Sequence, residues 1–227
     1  MTLKTPLPPL KPFAAIIFDM DGTLLDTEAV FREVVFDVTR NLGFEMTHEV
    51  HRSIVGTSHE RTSEILTEAY GLAFPYAMFD EQCRALMHDK MSDIVPVKTG
   101  VAEILGELEA HGLPAAVCTS SRSAHALTHL GSAGLLSRFK TVVTRDDVHN
   151  PKPHPEPYLL AARRLGMDPR ECVAVEDSPS GVRAAHAAGL QTIMVPDLVQ
   201  PSDEVRALCT AVMDSLHHLA RAAFPAA

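Results

Sequence analysis

Several short apolar runs in the sequence are followed, either directly or after a short loop, by side chains that could carry out phosphate chemistry. These side chains are Asp19 and Asp21, Thr119 and Ser120, Lys152, and Glu176 and Asp177. A carboxylate can bind a divalent cation or act as a nucleophile that accepts a phosphoryl group. Hydroxyls and exposed backbone amides can hold phosphate oxygens, and a lysine can balance their charge. The set therefore suits phosphoryl transfer, provided that the fold brings its members together.

Each of these motifs also has a simpler interpretation when it is taken alone. Asp19 and Asp21 could form a turn that caps the next helix, and the hydroxyls after position 118 could be an ordinary helix N-cap. Lys152 is held among prolines at positions 151, 153, 155 and 157, but a lone loop lysine is commonly a solvated surface residue. Glu176 and Asp177 could belong to a turn. Only the combination distinguishes a site from these alternatives.

The apolar runs have the length of buried parallel strands, and helical patterns lie between them. The runs cover residues 14–18, 115–118, 141–144, 172–175 and 192–195. One helical stripe, closed by Gly166, consists of Tyr158, Leu159, Ala162 and Leu165. A final stripe, which predicts one packing helix, consists of Val205, Leu208, Val212, Leu216 and Leu219. Strands that alternate with helices predict an α/β fold with a parallel sheet flanked by helices.

Residues 28–95 interrupt this alternation, because they contain only helical patterns such as that of Val30, Val34 and Val38. The stretch is too long for an ordinary crossover connection. We therefore predict an inserted helical domain over residues 28–95 and an α/β core over residues 1–27 and 96–227. The proline-rich start, residues 1–12, is expected to be a loose tail without the apolar segment of a signal peptide.

The carboxyl ends of parallel strands meet at one edge of a sheet, so the motifs are expected to lie together. Carboxylates at such close quarters would repel one another unless a divalent cation lay among them. A few oxygen ligands, completed by waters and a substrate phosphate, suit Mg²⁺. We therefore predict a Mg²⁺ site that involves Asp19, Asp21, Glu176 and Asp177. Lys152 and Thr119 would then contact the phosphoryl group.

The composition and charge of the chain argue against several classes of protein. With 46% hydrophobic and 22% charged residues, the chain has the composition of a globular protein. Its net charge of −9 argues against a nucleic-acid partner, which needs a basic face. No apolar run reaches the length that spans a bilayer, so we expect no membrane partner and a cytoplasmic location. The four cysteines lack metal-binding spacing, and Cys118 and Cys172, which lie in apolar runs, are expected to be buried free thiols.

The motifs together resemble those of the haloacid dehalogenase-like hydrolase superfamily. They match as Asp19-Met20-Asp21-Gly22-Thr23, Thr119, Lys152 with Pro153 and Pro155, and Glu176-Asp177. The resemblance extends over about residues 13–196 and implies a Rossmann-like core. Residues 28–95 resemble the α-helical cap of the branch that includes β-phosphoglucomutase, sugar-phosphate phosphatases and pseudouridine-5′-phosphatase.

The resemblance implies a role for each matched residue. Asp19 is the implied nucleophile and a Mg²⁺ ligand, and Asp21 is the implied general acid and base, with its backbone carbonyl on the metal. Asp177 and Glu176 are implied metal ligands, the latter directly or through water. The implied phosphate-binding groups are Thr119, the Ser120 amide and Lys152. His59 and Arg61, in the cap loop of residues 55–61, are candidate substrate contacts, although Arg61 could equally be a surface residue.

The sequence thus predicts a monomeric Mg²⁺-dependent phosphatase for a small phosphorylated metabolite, a sugar or nucleoside phosphate. A phosphomutase is the nearest alternative. Such mutases carry a histidine in the first cap helix, where Val30 and Phe31 stand here, which favours hydrolysis. A phosphoacceptor signalling domain and a catalytically idle phosphate-binding relative are alternatives from another class. Asp21 argues against the first of these, and against dehalogenation, because neither chemistry needs a second acid at this position.

Overall fold

In the described part of the chain, six parallel strands form one sheet, and the sequence motifs of the core lie at or beyond the ends of its strands. The computed structural model describes residues 10–55, 57, 59–93 and 95–225. Its strands are β1 (Ala15–Phe18), β2 (Ala115–Cys118), β3 (Thr141–Val143), β4 (Cys172–Glu176), β5 (Gln191–Met194) and β6 (Ala211–Val212). Their order across the sheet is β3-β2-β1-β4-β5-β6. The structure confirms the predicted α/β class with a parallel sheet.

The strand order places a topological switch point between β1 and β4. The chain runs outward from β1 through β2 to β3, and then returns to start the other half of the sheet at β4. Ile17 lies opposite Ala116 of β2 on one side and Ala174 of β4 on the other. All residues of β1, β2 and β4 are buried, as expected for a sheet covered on both faces. Ligand sites of open α/β sheets lie at such a switch point, beyond the strand ends.

The chain folds as two compact units. In one of them, the regular secondary structure of the described residues consists of helices. The core unit extends to Asp26 and resumes at Pro96, and the helical unit is Thr27–Val95. The helices of the helical unit are α1 (Thr27–Asn41), α2 (His48–Ile54), α3 (His59–Tyr70) and α4 (Tyr76–Asp93). Within the core unit, the backbone N–H of Asp26 donates to the carbonyl of Pro96 (2.8 Å). This bond ties the point where the chain leaves the core to the point where it returns.

The core helices follow the strands in alternation. They are α5 (Val101–Ala110), α6 (Ser123–Ser132), α7 (Glu156–Leu165), α8 (Pro179–Ala187), α9 (Asp203–Leu208) and α10 (Leu216–Ala223). The side chains of Ser178, Ser202 and Ser215 cap α8, α9 and α10 by accepting from backbone N–H groups. Among the described helices, none has both the length and the apolar composition needed to cross a membrane.

Two sequence-based predictions are wrong in detail. The stripe from Val205 to Leu219 is not one helix, because the edge strand β6 separates α9 from α10. The N–H of Thr210 donates to the carbonyl of Thr192 (2.7 Å), so sheet pairing replaces the helical bonds there. Leu159, predicted to face the core with the rest of its stripe, is 42% exposed. Some predictions lie outside the described residues, namely those for residues 1–9 of the start and for Gly56 and Ser58 of the cap loop.

The burial of His51 predicts that the stability of the helical unit depends on pH. Its ring lies near Phe31 and Phe36, and its Nε2 atom is buried without a hydrogen-bond partner among the described residues. Burial, and then the charge of Arg32, lowers the pKa of His51 below its ordinary value of 6.5. The unfolded chain therefore takes up a proton more readily than the folded unit, and stability is lost as the pH falls below about 6.5.

We predict that His51→Leu reduces this acid-induced loss. When the pH is lowered from 8 to 5.5, the thermal unfolding midpoint of the wild type should shift further downward than that of the variant, because the carboxylates of the core unit titrate alike in both proteins. His149→Gln, which changes an exposed histidine of the core unit, is the control and should behave like the wild type. Equal losses in His51→Leu and the wild type would show that this histidine does not govern acid stability.

Candidate active site

Three carboxylates meet at the switch point between β1 and β4. Asp19 follows β1, and its backbone N–H donates to the carbonyl of Val175 in β4 (2.9 Å). Glu176 is the last residue of β4, and Asp177 comes next. One oxygen from each of Asp19, Glu176 and Asp177 lies within 4.8 Å of the others. The pairing of β1 with β4 therefore creates a cluster of oxygen ligands from two separate parts of the sequence.

Lys152 connects this cluster to β2. Its side chain is 4% exposed, and its Nζ atom donates to Asp19 Oδ1 (2.6 Å), Glu176 Oε1 (2.6 Å) and the carbonyl of Cys118 (2.8 Å). An ammonium group has three protons, so these acceptors use all of its donors. The proline-rich loop before α7 therefore delivers one buried cation into the carboxylate cluster.

Burial, and then the charges of neighbouring groups, shift the pKa values of the residues in this cluster. Burial raises the pKa of Asp19 well above its usual range, despite the opposing effect of Lys152. Burial, followed by the nearby Glu176 carboxylate, raises the pKa of Asp177 to about 8. For Lys152, burial lowers the pKa, but Asp19 and Glu176 outweigh it, so that the pKa lies well above the ordinary value. A divalent cation would favour the ionised carboxylates, and all-oxygen donors suit Mg²⁺, so these residues fit that ion.

Glu176 is held by donors on both of its carboxylate oxygens. Besides Lys152, the hydroxyl of Tyr158 donates to Oε1 (2.6 Å), and the hydroxyl of Ser178 donates to Oε2 (3.0 Å). Burial, and then the charge of Glu176, raises the pKa of Tyr158 well above its usual range, so the phenol keeps its proton. Glu176 and Tyr158 are both 0% exposed. The carboxylate therefore has one orientation, fixed by protein groups instead of solvent.

Asp21 lies on the turn that follows β1. The hydroxyl of Ser121 donates to Asp21 Oδ2 (2.7 Å), which links this turn to the segment after β2. Gly22 has a φ of +84°, and a Cβ atom there would collide with the Asp177 carboxylate. Only glycine meets both conditions, since it tolerates the left-handed region and leaves room for the neighbouring carboxylate.

Thr119 and the Ser120 amide, which are predicted to bind phosphate, lie after β2, which pairs with β1 in the sheet. Thr119 is 3% exposed, and its Oγ1 accepts from the N–H of Ser121 (3.0 Å). Ser120 is exposed. Thr119 directly follows Cys118, whose carbonyl accepts from Lys152. The structure thus brings Thr119 and Lys152 to the same edge of the sheet.

His59 and Arg61 lie at the start of α3 in the helical unit. His59 Nδ1 is 3.2 Å from the hydroxyl of Tyr76 and 3.5 Å from Asp80 Oδ1. Arg61 pairs with Glu64 (2.8 Å) and Glu68 (3.8 Å) along its own helix. Both His59 and Arg61 are exposed, and their role as substrate contacts stays a prediction.

Sequence reasoning missed three residues of this site: Ser121, Tyr158 and Ser178. Ser121 stands in the same hydroxyl run as Thr119, but its bond to Asp21 depends on the placement of β2 beside β1. Tyr158 belongs to an apolar stripe and was assigned to packing only. Its hydroxyl was the available signal, because a buried tyrosine hydroxyl needs a hydrogen-bond partner.

Gly181 in α8 packs directly against the Glu176 carboxylate, and a Cβ atom at this position would overlap it. We therefore predict that Gly181→Ala lowers the free energy of unfolding by about 2 kcal/mol, as overpacking of a core does. Gly106 in α5 is the matched control, because no described atom other than those of its chain neighbours and the adjacent backbone of its own helix lies within 4 Å of its Cβ position. Gly106→Ala should be neutral or stabilise by up to about 1 kcal/mol. Denaturant unfolding measures both, and similar values for both variants would contradict the packing argument.

The sequence of this chain is similar to those of known proteins from one family. The sequence model of the haloacid dehalogenase-like hydrolases matches residues 16–195. A phosphorylated carbohydrates phosphatase of Thermotoga maritima is 35% identical over 179 residues, which are 79% of this chain and 83% of that protein. A fructose-1-phosphate phosphatase of Escherichia coli is 33% identical over 185 residues, or 81% of this chain and 96% of that protein.

A solved structure extends the likeness to the fold. It is that of a haloacid dehalogenase family hydrolase from Deinococcus radiodurans with bound phosphate and sodium. The two chains are 28% identical, with a TM-score of 0.83 and coverage of 95% of this chain and 99% of the other. Motif order, fold and sequence identity agree, and the chain belongs to the haloacid dehalogenase-like hydrolase family.

Proposed function

We propose that this protein is a Mg²⁺-dependent phosphatase that hydrolyses a small phosphate monoester, a sugar or nucleoside phosphate, through a phosphorylated Asp19. The observation that carries the proposal is the Asp19 carboxylate at the end of β1, bound by Lys152 and grouped with Glu176 and Asp177. The relatives named as phosphatases of phosphorylated carbohydrates and of fructose 1-phosphate support this substrate class.

In the first step, Asp19 attacks the phosphorus atom of the substrate. We assign the attack to Oδ2, since Oδ1 accepts from Lys152. A bond forms between this oxygen and phosphorus, and the bond from phosphorus to the ester oxygen breaks. Asp21 donates its proton to the departing oxygen, which leaves as an alcohol. Ser121 orients Asp21 for this transfer through the 2.7 Å hydrogen bond.

In the second step, water replaces Asp19 on phosphorus. Asp21, now ionised, takes a proton from the water, whose oxygen attacks the phosphoryl group. The bond from phosphorus to Asp19 breaks, so inorganic phosphate and the original carboxylate are released. Lys152 lies beside Asp19 in both steps and offsets the charge of the phosphoryl oxygens, together with Thr119 and the Ser120 amide.

The metal site that we propose consists of Asp19, Glu176, Asp177 and the backbone carbonyl of Asp21. Bound Mg²⁺ would neutralise charge on the phosphoryl oxygens and on the carboxylates that surround them. The pKa of Asp177 is raised by burial and then by the charge of Glu176, and without such a cation this same carboxylate charge also opposes the approach of an anionic substrate.

Hydrolysis is favoured over a phosphomutase reaction by α1. Val30 and Phe31 occupy the region in which the resemblance expects a histidine of the mutases, and Val30 is buried. A mutase must prevent water from attacking its phosphoryl group. The histidine that is expected to do this in a mutase is replaced here by an apolar pair. The monomeric state, the cytoplasmic location and the lack of nucleic-acid or membrane partners stay predictions from composition.

The test is phosphate release from a panel of sugar, polyol, glycolate and nucleoside monophosphates, with Mg²⁺ and with a chelator. We predict release that requires Mg²⁺, is abolished by the chelator and is concentrated on one substrate class. Thermal unfolding in both conditions controls for loss of the fold. A folded protein that releases no phosphate contradicts the proposal, and transfer of labelled phosphate to a second hydroxyl would instead identify a mutase.

A further inference from the structure

We propose that Tyr158 is a positioning residue that acts through Glu176, which it holds in the orientation needed for Mg²⁺ and for Lys152. The inference rests on the proposed function, since it extends the roles assigned there to a residue of α7. Its hydroxyl reaches Glu176 Oε1 at 2.6 Å, the same oxygen that accepts from Lys152 Nζ at 2.6 Å. Two donors on one oxygen fix the carboxylate more firmly than either could alone.

Tyr158 and Lys152 reach Glu176 as parts of one braced segment. The carboxylate of Glu156, the first residue of α7, accepts from the N–H of His149 (2.9 Å) and from the N–H and side chain of Asn150 (3.0 and 2.9 Å). These bonds clamp the loop that carries Lys152 onto the helix that carries Tyr158. The ammonium of Lys152 lies 5.2 Å from the centre of the Tyr158 ring. The lysine and the tyrosine are therefore placed together, with Glu176 as their common acceptor.

The hydroxyl of Tyr158 has a role that packing does not require. The ring is buried among core residues that include Ala161, Ala162 and Cys118, and a phenylalanine ring would fill the same space. Water cannot easily replace the hydroxyl, because Glu176 and Tyr158 are both 0% exposed. Without it, Lys152 becomes the only side-chain donor on Oε1 among the residues that the structure describes. We then expect the ammonium to move toward Glu176 and away from Asp19, and the carboxylate to leave its metal-binding orientation.

The test is Tyr158→Phe, which removes one oxygen atom and keeps the ring. Mg²⁺ binding to the metal-free protein, measured by titration calorimetry without substrate, should weaken about tenfold, as expected for a lost hydrogen bond to a charged group. At saturating Mg²⁺, kcat should fall about tenfold to a hundredfold while KM changes less than about threefold. Wild-type values of both Mg²⁺ affinity and kcat in the folded variant would overturn the proposal.

Tyr70→Phe is the matched control. It also removes a tyrosine hydroxyl that donates a hydrogen bond, here to the carbonyl of Glu45 in the helical unit (2.9 Å). We expect Mg²⁺ affinity and kcat of this variant to equal those of the wild type. If both variants weakened Mg²⁺ binding equally, the effect would be a general loss of stability and the proposal would be wrong.

A double-mutant cycle with Glu176→Gln separates positioning from packing. If Tyr158 acts through Glu176, its removal should have little further effect on Mg²⁺ affinity once the carboxylate is gone. If the loss of Mg²⁺ affinity in the double variant equalled the product of the losses in Tyr158→Phe and Glu176→Gln, the two residues would act independently and the proposal would be contradicted.

Intrinsic fluorescence provides a second test in which Tyr158 is not substituted, so the proposal can be tested even if Tyr158→Phe fails to fold. The chain contains three tyrosines and no tryptophan, so Tyr158 is the only emitter of that kind in the Tyr70→Phe/Tyr76→Phe double variant. Hydrogen bonding to a carboxylate quenches tyrosine emission. A cation bound to Glu176 would draw charge away from the carboxylate that quenches Tyr158. Mg²⁺ should therefore raise this emission with the same midpoint as in calorimetry, and an unchanged emission would overturn the proposal.

The calorimetric readout also distinguishes this inference from the proposed function. If the wild type hydrolyses phosphate monoesters but Tyr158→Phe binds Mg²⁺ and turns over normally, the inference fails and the function stands. If no substrate is hydrolysed but Tyr158→Phe still weakens Mg²⁺ binding, the function fails and the positioning role stands.

Discussion

Repulsion among the carboxylates of Asp19, Glu176 and Asp177 is the constraint on which the rest of this structure depends. The parallel pairing of β1 with β4 forces these groups to within 4.8 Å of one another in a poorly hydrated place. Such a cluster is costly unless cations and donors compensate for it. Lys152 supplies the positive charge that the chain itself contributes, and the proposed Mg²⁺ would supply the remainder. A site arranged in this way is ready to accept an anionic phosphate.

The surroundings of the cluster are explained by the same constraint. Gly22 and Gly181 leave room for the carboxylates of Asp177 and Glu176, since a Cβ atom at either position would collide with them. Tyr158 and Ser178 donate hydrogen bonds to Glu176, which is shielded from water. Small residues and hydroxyls around the acids are therefore as much a part of the site as the acids themselves.

Most of the fold and the acidic half of the site could be predicted from the sequence, because both follow from local patterns. Apolar runs marked five of the strands, and Asp19, Glu176 and Asp177 follow them directly. The edge strand β6 could not be found, since Val205, Leu208 and Val212 also fit helical spacing and only pairing with β5 decides between the two. The buried hydroxyl of Tyr158 indicates that it needs a hydrogen-bond partner, but the partners of Ser121 and Tyr158 could not be identified, because they belong to segments that are distant in sequence.

Trapping of the phosphorylated protein tests the central claim most directly. The wild type and Asp21→Asn would each be mixed with a phosphate-labelled substrate that the wild type hydrolyses. The reaction would be quenched in acid within milliseconds, and the protein would be digested for mass spectrometry. The account predicts label on the peptide that contains Asp19, and this label should persist longer in Asp21→Asn because the second step is slowed. Phosphate release from the wild type with no label on Asp19, or with label on another residue, would contradict the account.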